Sequence, residues 1–337
     1  MSLAELDVNI DLSLPRKRVH LDLYCSETID IQDSVTGFKP SDTDTLKLLQ
    51  EREASFGINP FYFETIQTEI TPSMRLMLAD WMIKAAHDFS LNRETFQIAL
   101  SIVDKTLSNF KVSKGTFQLL GIASLIISSK LEELHPPTIS DFVLYVGAFS
   151  QKEIYSMEKR ILKNLGWRIL PATLNHWCNW LMAQWDDFVV HTIKEFDIRF
   201  KRADKKSYRL YREVIGILDG AILDSSHLNH SQPKLVAACI YLVLQREICT
   251  GEHSASFEKH FEYWLGATLE VASTVSLLKA KEYLQQFLGL PIGYDLPKIY
   301  EDFPRDSIAK SYEDFLGFQI HNSEIMPFIK AIIRNNR

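Results

Sequence analysis

The stretch TFQLLGIASLIISSK, residues 116–130, is apolar nearly all round. A helix without a polar face needs neighbours on every side, so it belongs at the centre of a bundle. Gly121, Ala123, Ser124 and Ser128 are small enough to let those neighbours approach closely. A second stretch of the same kind, QPKLVAACIYLVLQRE at 232–247, carries Ala237, Ala238 and Cys239. The two stand roughly 115 residues apart, too long for a solenoid period and natural for a duplicated domain. With hardly a period-2 strand anywhere, the expected class is all-α, two tandem five-helix bundles.

The flanking segments supply the other helices. In MRLMLADWMIKAAHDF, Met74, Met77, Leu78, Trp81 and Ala85 recur at helical spacing. In LNRETFQIALSIVDKTLSNF, Asn92 is a candidate N-cap, and Phe96, Ala99, Leu100, Val103 and Leu107 share a face. Both read as surface helices with one buried side. TISDFVLYV follows Pro136 and Pro137, which end the central helix. SQKEIYSMEKRILKNLG opens with a capping box, Ser150 to Glu153, and closes on Gly166 at the C′ position. A short amphipathic helix over 44–56, with Leu46, Leu49 and Phe56 on one side, precedes this unit. The second unit is expected to run TLNHWCNWLMAQW, YRLYREVIGILDGAIL, QPKLVAACIYLVLQRE, FEKHFEYWL and TLEVASTVSLLKAKEYLQQFLG. The expected organisation is an N-terminal arm at 1–43, a first bundle at 44–171, a second at 172–290 and a tail at 291–337.

Several function classes lose support. The chain of 337 residues is 46% hydrophobic and 24% charged, as ordinary soluble globular proteins are. A net charge of −6 argues against a surface built for nucleic acid, which needs many Lys and Arg to displace counterions. The apolar runs fall short of the roughly 20 residues of a membrane span. The N-terminus carries acids where a signal peptide carries a basic region. Cys25, Cys178, Cys239 and Cys249 form no C-x-x-C pair, so the expectation is an intracellular protein with reduced thiols. No phosphate loop, nucleophile elbow or H-E-x-x-H motif points to catalytic residues, a metal or a cofactor. His227 and His230 in SSHLNHSQP read as parts of a solvated loop. Adjacent Glu132 and Glu133 diverge by about 100° on a helix, which does not suit a shared acid/base site. The basic stretch IRFKRADKKSYRLYR, 198–212, reads as a nucleic-acid or phosphopeptide site, or as a solvated loop entering a helix. PRKRVH in the arm suits nuclear import, which leaves nucleus and cytoplasm as the expected compartments.

MRLMLADWMIKAAHDFSLNRETFQIALSIVDKTLS, FQLLGIASLIISSKLEELHPPTISDF and EIYSMEKRILKNLGWRILPAT together resemble the cyclin box of cell-cycle cyclins. LNRETF, SKLEELHPP and LGWRILPATLNHW lean towards E-type members, with A and B types close competitors. The second unit resembles the family's second cyclin fold by pattern only. The resemblance implies a noncatalytic regulatory subunit that activates a cyclin-dependent Ser/Thr kinase.

Residue by residue, it implies that Lys130 and Glu158 hold backbone groups of a kinase partner, with Leu131 and Glu133 completing the docking edge. The plainer reading of Lys130 and Glu158 is an ordinary ion pair at two helix ends. Arg75 and Asp104 match a buried structural ion pair. Met74, Met77, Leu78, Trp81 and Gln118 match a shallow groove that docks R-x-L peptides of substrates and inhibitors. Lys84 stands where the family has an acid to receive the motif's Arg, which should weaken such docking. A different class, a transcription-related double cyclin fold, would bind DNA through 199–212. RVHL, 18–21, has the spacing of a degradation box, and the tail repeats YEDF at Tyr300 and Tyr312 without a physical account.

Overall fold

The computed structural model describes residues 40, 42–192, 203–248, 254–271 and 273–288. The expectations for the arm (PRKRVH and RVHL), for Cys25 and Cys249 and for the tail from 291 lie outside the described residues. So do residues 198–202 of the basic stretch.

The described residues are helical and contain no strand. Helix α1 (Thr43–Phe56) buries Leu49 and Phe56, and a single turn, α2 (Tyr62–Thr65), follows. Five helices form the first bundle: α3 (Pro72–Asp88), α4 (Arg93–Leu107), α5 (Lys114–Glu132), α6 (Ile139–Val146) and α7 (Gln151–Asn164). Every residue of α5 from Phe117 to Ser129 is buried, and α3, α4 and α7 pack against it. The close approach falls at Gly121, where an added Cβ would lie 2.9 Å from Leu78 Cδ1. The capping box of α7 is formed by Ser150 and Glu153. The helix ends with Gly166 at φ +55, and the amide of Trp167 reaches back to the Leu162 carbonyl. That is the geometry in which a glycine relieves the left-handed turn.

The second bundle runs α8 (Leu174–Thr192), α9 (Ala203–Ala221), α10 (Gln232–Ile248), α11 (Ser254–Leu269) and α12 (Leu278–Gln285), with α10 packed against all the others. Side chains join the bundles. Arg93 on α4 pairs with Asp219 on α9 at 2.8 Å, and Gln97 reaches the other oxygen of Asp219. Glu94 accepts from Thr173 and Asn175 at the start of α8.

Four expectations change. Helix α3 is not a one-sided surface helix: every residue from Met74 to Met82 is buried, Arg75 and Asp80 included. It lies between α5 and the 3₁₀ turn Ser225–Asn229 of the second bundle, so both faces are covered. The loop carrying His227 is not simply solvated: His227 is buried in that turn, its Nδ1 2.7 Å from the Asp224 carbonyl. His230 stacks on Tyr283 with ring centroids 5.0 Å apart. The last expected helix, 268–289, is broken. Glu270 adopts φ +55, and a 3₁₀ turn, Thr274–Leu277, precedes α12. Glu262 holds that corner by accepting from Ser273 Oγ and the Thr274 amide. Finally, α9 begins at Ala203, so part of the basic stretch is helix rather than loop.

Candidate functional site

The buried run of α5 stops at Ser129, and Lys130, the next residue, reaches solvent. On α7 the buried positions are Ile154, Met157, Glu158 and Ile161, so one carboxylate sits in an otherwise apolar stripe. A carboxylate there needs a partner. Lys130 supplies it: its ammonium donates to Glu158 Oε1, with 45% of the lysine side chain exposed but only 11% of the glutamate's. The pair bridges two helices at the surface. Among the described residues two ammonium hydrogens and Oε2 are left over, which suits both a backbone carbonyl and a backbone amide of another chain.

Apolar side chains stand exposed beside it. Leu131 is 39% exposed and Leu134 88%. Tyr155, 56% exposed, is three residues before Glu158 and hence on the same side of α7. Trp167 and Leu170 are exposed too, but nine and twelve residues after Glu158, at the end of α7 where Asn164 meets Asn109. Tyr155, Trp167 and Leu170 were not singled out from sequence. The signal for Tyr155 was present, since a buried stripe of 154, 157, 158 and 161 turns 155 outward.

Glu133 has a different employment from the one expected. The backbone leaves the helix there (φ −94, ψ 137), and the side chain swings to the N-terminus of α4. Its two oxygens accept from the Asn92 amide at 2.6 Å, Asn92 Nδ2 at 2.8 Å and Thr95 Oγ1 at 2.6 Å. Asn92 therefore does not cap α4 with its own side chain; Glu133 stabilises that helix end, where a negative charge is favoured. Glu132 faces Glu94 and His176 instead, and burial followed by repulsion from Glu94 pushes its carboxyl above the usual range.

The α3 stripe is also placed differently. Met74 and Leu78 are fully buried, with Leu78 seated on Gly121. Met77, Trp81 and Gln118 show only thin edges, at 9%, 6% and 8% exposure. The expected shallow groove is thus a closed packing surface: covering both sides of α3 leaves little of the stripe to a peptide. Lys84, one turn after Trp81, is partly exposed. The nearby acid Asp88 accepts from Tyr145 Oη at 2.7 Å.

Arg75 and Asp104 are 0% and 2% exposed and meet through two bonds of 2.6 Å, Nε to Oδ1 and Nη2 to Oδ2. Burial disfavours the charged guanidinium, but Asp104 outweighs it and holds Arg75 above its ordinary value. Tyr62 Oη also donates to Asp104. The remaining Arg75 nitrogen, Nη1, donates to the carbonyls of Ile222 and Leu223 at 3.2 and 2.8 Å. The pair therefore also ties α3 to the end of α9. Carbonyl acceptors leave no trace in a sequence, so this second role was not legible there.

Residues 44–170 match the family model described as cyclin, N-terminal domain. The match falls on α1 to α7 and the segment that follows them. Lys130, Glu158, Arg75 and Asp104 all lie inside the match. Over 133 residues, 39% of this chain and 31% of its relative, the chain is 39% identical to a G2/mitotic-specific cyclin-A of Patella vulgata. Over 200 residues, 59% of this chain and 47% of the relative, the chain is 29% identical to a G1/S-specific cyclin-E1 of Gallus gallus. It thus spans from about a third to about half of the length of these relatives. A viral cyclin from herpesvirus saimiri shares the fold at a TM-score of 0.52 and 20% identity, covering 72% of this chain and 97% of that one. Among the described residues no helix is long and apolar enough to cross a membrane, and no group of three or more His, Cys, Asp or Glu side chains could hold a metal ion.

Proposed function

We propose that this chain is a regulatory cyclin subunit that binds and activates a cyclin-dependent Ser/Thr protein kinase. The observation that carries the reading is the Lys130–Glu158 pair, set at the exposed end of a buried helix inside the segment that matches the cyclin N-terminal domain and flanked by Leu131, Leu134 and Tyr155. Such a surface offers apolar contact together with a donor and an acceptor for partner backbone groups that burial would otherwise strand. In a kinase, holding the αC helix brings its Glu to the ATP-binding Lys and frees the activation segment. The cyclin acts by binding that arrangement better than the inactive one, so the kinase population shifts towards activity.

The similarity to both A- and E-type relatives supports a cell-cycle role, and the motifs that lean to E type favour the G1/S transition. Nucleus and cytoplasm are the compartments this role requires. Recruitment of substrate or inhibitor peptides through the α3 stripe requires a shift of Met77, Trp81 or Gln118, because their exposed edges are thin. The test is reconstitution. The purified chain alone should transfer no phosphate, and adding it to a candidate cyclin-dependent kinase should raise that kinase's activity. The Lys130→Ala/Glu158→Ala variant should lose binding with unchanged helical content. Absence of activation and of any copurifying kinase would reject the proposal.

A further inference from the structure

A cavity of 320 Å³ opens where the C-terminal ends of α1, α4 and α7 meet. Phe56 and Leu165, both buried, form its apolar floor, and Lys105, Asn109, Asn164 and Arg168 line its walls. Among the described residues no Asp or Glu lines it. The two segments that build most of it are free of acids for long distances: residues 105–131 and residues 159–185 contain no Asp or Glu, in a chain whose net charge is −6. Two cations, Lys105 and Arg168, therefore line a cavity with no nearby acid in either segment.

The donors are also uncommitted. The Arg168 side chain makes no hydrogen bond or ion pair among the described residues. Lys105 donates once, to the Gly57 carbonyl, and keeps two ammonium hydrogens. Asn109 Nδ2 donates to Asn164 Oδ1 at 3.0 Å, which leaves the amide hydrogens of Asn164 free. Burial, and then repulsion from Arg168, lowers the Lys105 ammonium below its usual value, so an anion between the two cations would relieve a real cost.

A plainer account is that these cations neutralise the helix ends. Each C-terminus carries about half a negative charge, felt only within the last turn. Those ends are already served: Gly57, Ser108, Gly166 and Trp167 return their amides to the last carbonyls of α1, α4 and α7. The two full positive charges of Lys105 and Arg168 exceed what remains.

We propose that this cavity is an oxyanion-binding site that takes a phosphate group carried on a protein side chain. A guanidinium fork, an ammonium and an amide N–H suit the three acceptor oxygens and double charge of a phosphorylated Ser or Thr. The volume is well above the roughly 10–15 Å³ that one water needs on the same measure, which leaves room on the apolar floor for the residue bearing the phosphate. The site is separate from Lys130 and Glu158 and does not depend on kinase binding.

The test uses the full chain at low ionic strength, titrated calorimetrically with a phosphothreonine peptide, its unphosphorylated counterpart and inorganic phosphate. The phosphopeptide should bind and the unphosphorylated peptide should not. Arg168→Glu should weaken binding by about tenfold or more, the loss of one charge-assisted contact, with an unchanged melting temperature. Lys105→Gln should weaken it in the same direction. Equal phosphopeptide binding by wild type and Arg168→Glu, or no binding, would overturn the proposal. So would a response to inorganic phosphate without one to the phosphopeptide, which would make this a free-anion site.

Discussion

Two ion pairs hold the first bundle, and they differ in almost everything except chemistry. Arg75 and Asp104 are sealed from water and joined by two bonds, with Tyr62 and two backbone carbonyls completing their valences. Lys130 and Glu158 share one bond, and nearly half of the lysine side chain faces solvent. The buried pair is sealed from any other molecule. The exposed pair has groups left to offer one. A charged pair that is fully satisfied inside reads as architecture, whereas one left partly unsatisfied at an apolar edge reads as an interface.

The largest effect is expected at the buried pair. Arg75→Ala should cost about 3–5 kcal/mol in denaturant unfolding, because Asp104 would stay buried without its counter-charge. The double replacement Arg75→Met/Asp104→Leu removes both charges and should cost less than Arg75→Ala. If it costs more, the Ile222 and Leu223 carbonyls depend on Arg75 more than Asp104 does, and the pair is chiefly a clamp between bundles.

Titration sharpens the same contrast around the bundle junction. Burial, only partly offset by Arg93, pushes the Asp219 carboxyl from 3.8 up to about 6. Between those values the folded state keeps a proton that the unfolded chain has released, so stability falls as pH rises from 4 to 6. Burial and the nearby Arg75 push the His227 imidazole the other way, from 6.5 to about 4. There the unfolded chain holds the extra proton, so stability is lost as pH falls from 6.5 to 4. Each contribution is on the order of 3 kcal/mol, and the two oppose one another. Asp219→Asn should therefore unmask a stability that climbs from pH 4 to 6.5, and His227→Asn one that declines. Thermal unfolding across that range checks both; parallel profiles for wild type and the two variants would contradict the assignment.

A smaller loss, about 1–2 kcal/mol, is expected for Glu133→Ala, which strands the Asn92 amide and Thr95 hydroxyl at the start of α4. Kinase binding should survive it, since both Glu133 oxygens already serve this chain. A variant that is stable and yet fails to bind would return Glu133 to the docking edge.

The sequence was most legible where the periodicity was extreme. The all-round apolar run at 116–130 gave α5 and its central place, and Ser150, Glu153 and Gly166 marked the two ends of α7. It was least legible where a side chain answers to the other bundle. The α3 stripe at Met74, Met77, Leu78 and Trp81 was visible, but its second covering, the turn around His227, lies some 150 residues on. The partners of Glu133 were illegible for a related reason: its direction follows from the backbone leaving the helix at that residue, which no spacing rule reports. At Glu270 the helical pattern continued through a break set by Glu262 holding Ser273 and Thr274.

The smallest stability effect is expected at the exposed pair, and there the two ion pairs separate most clearly. Lys130 keeps much of its solvation, so Lys130→Ala should cost under about 1 kcal/mol in unfolding, less still at high salt. Binding should respond in the opposite proportion. A partner that covers Lys130 and Glu158 desolvates both, and removing one then leaves the other buried with an unmatched charge, a penalty of several kcal/mol in the complex alone. A double-mutant cycle on Lys130 and Glu158, run once on unfolding and once on kinase affinity, measures the two couplings side by side. A coupling that is large for unfolding and absent for affinity would make the pair architecture like Arg75 and Asp104, and would remove the surface on which the proposed function stands.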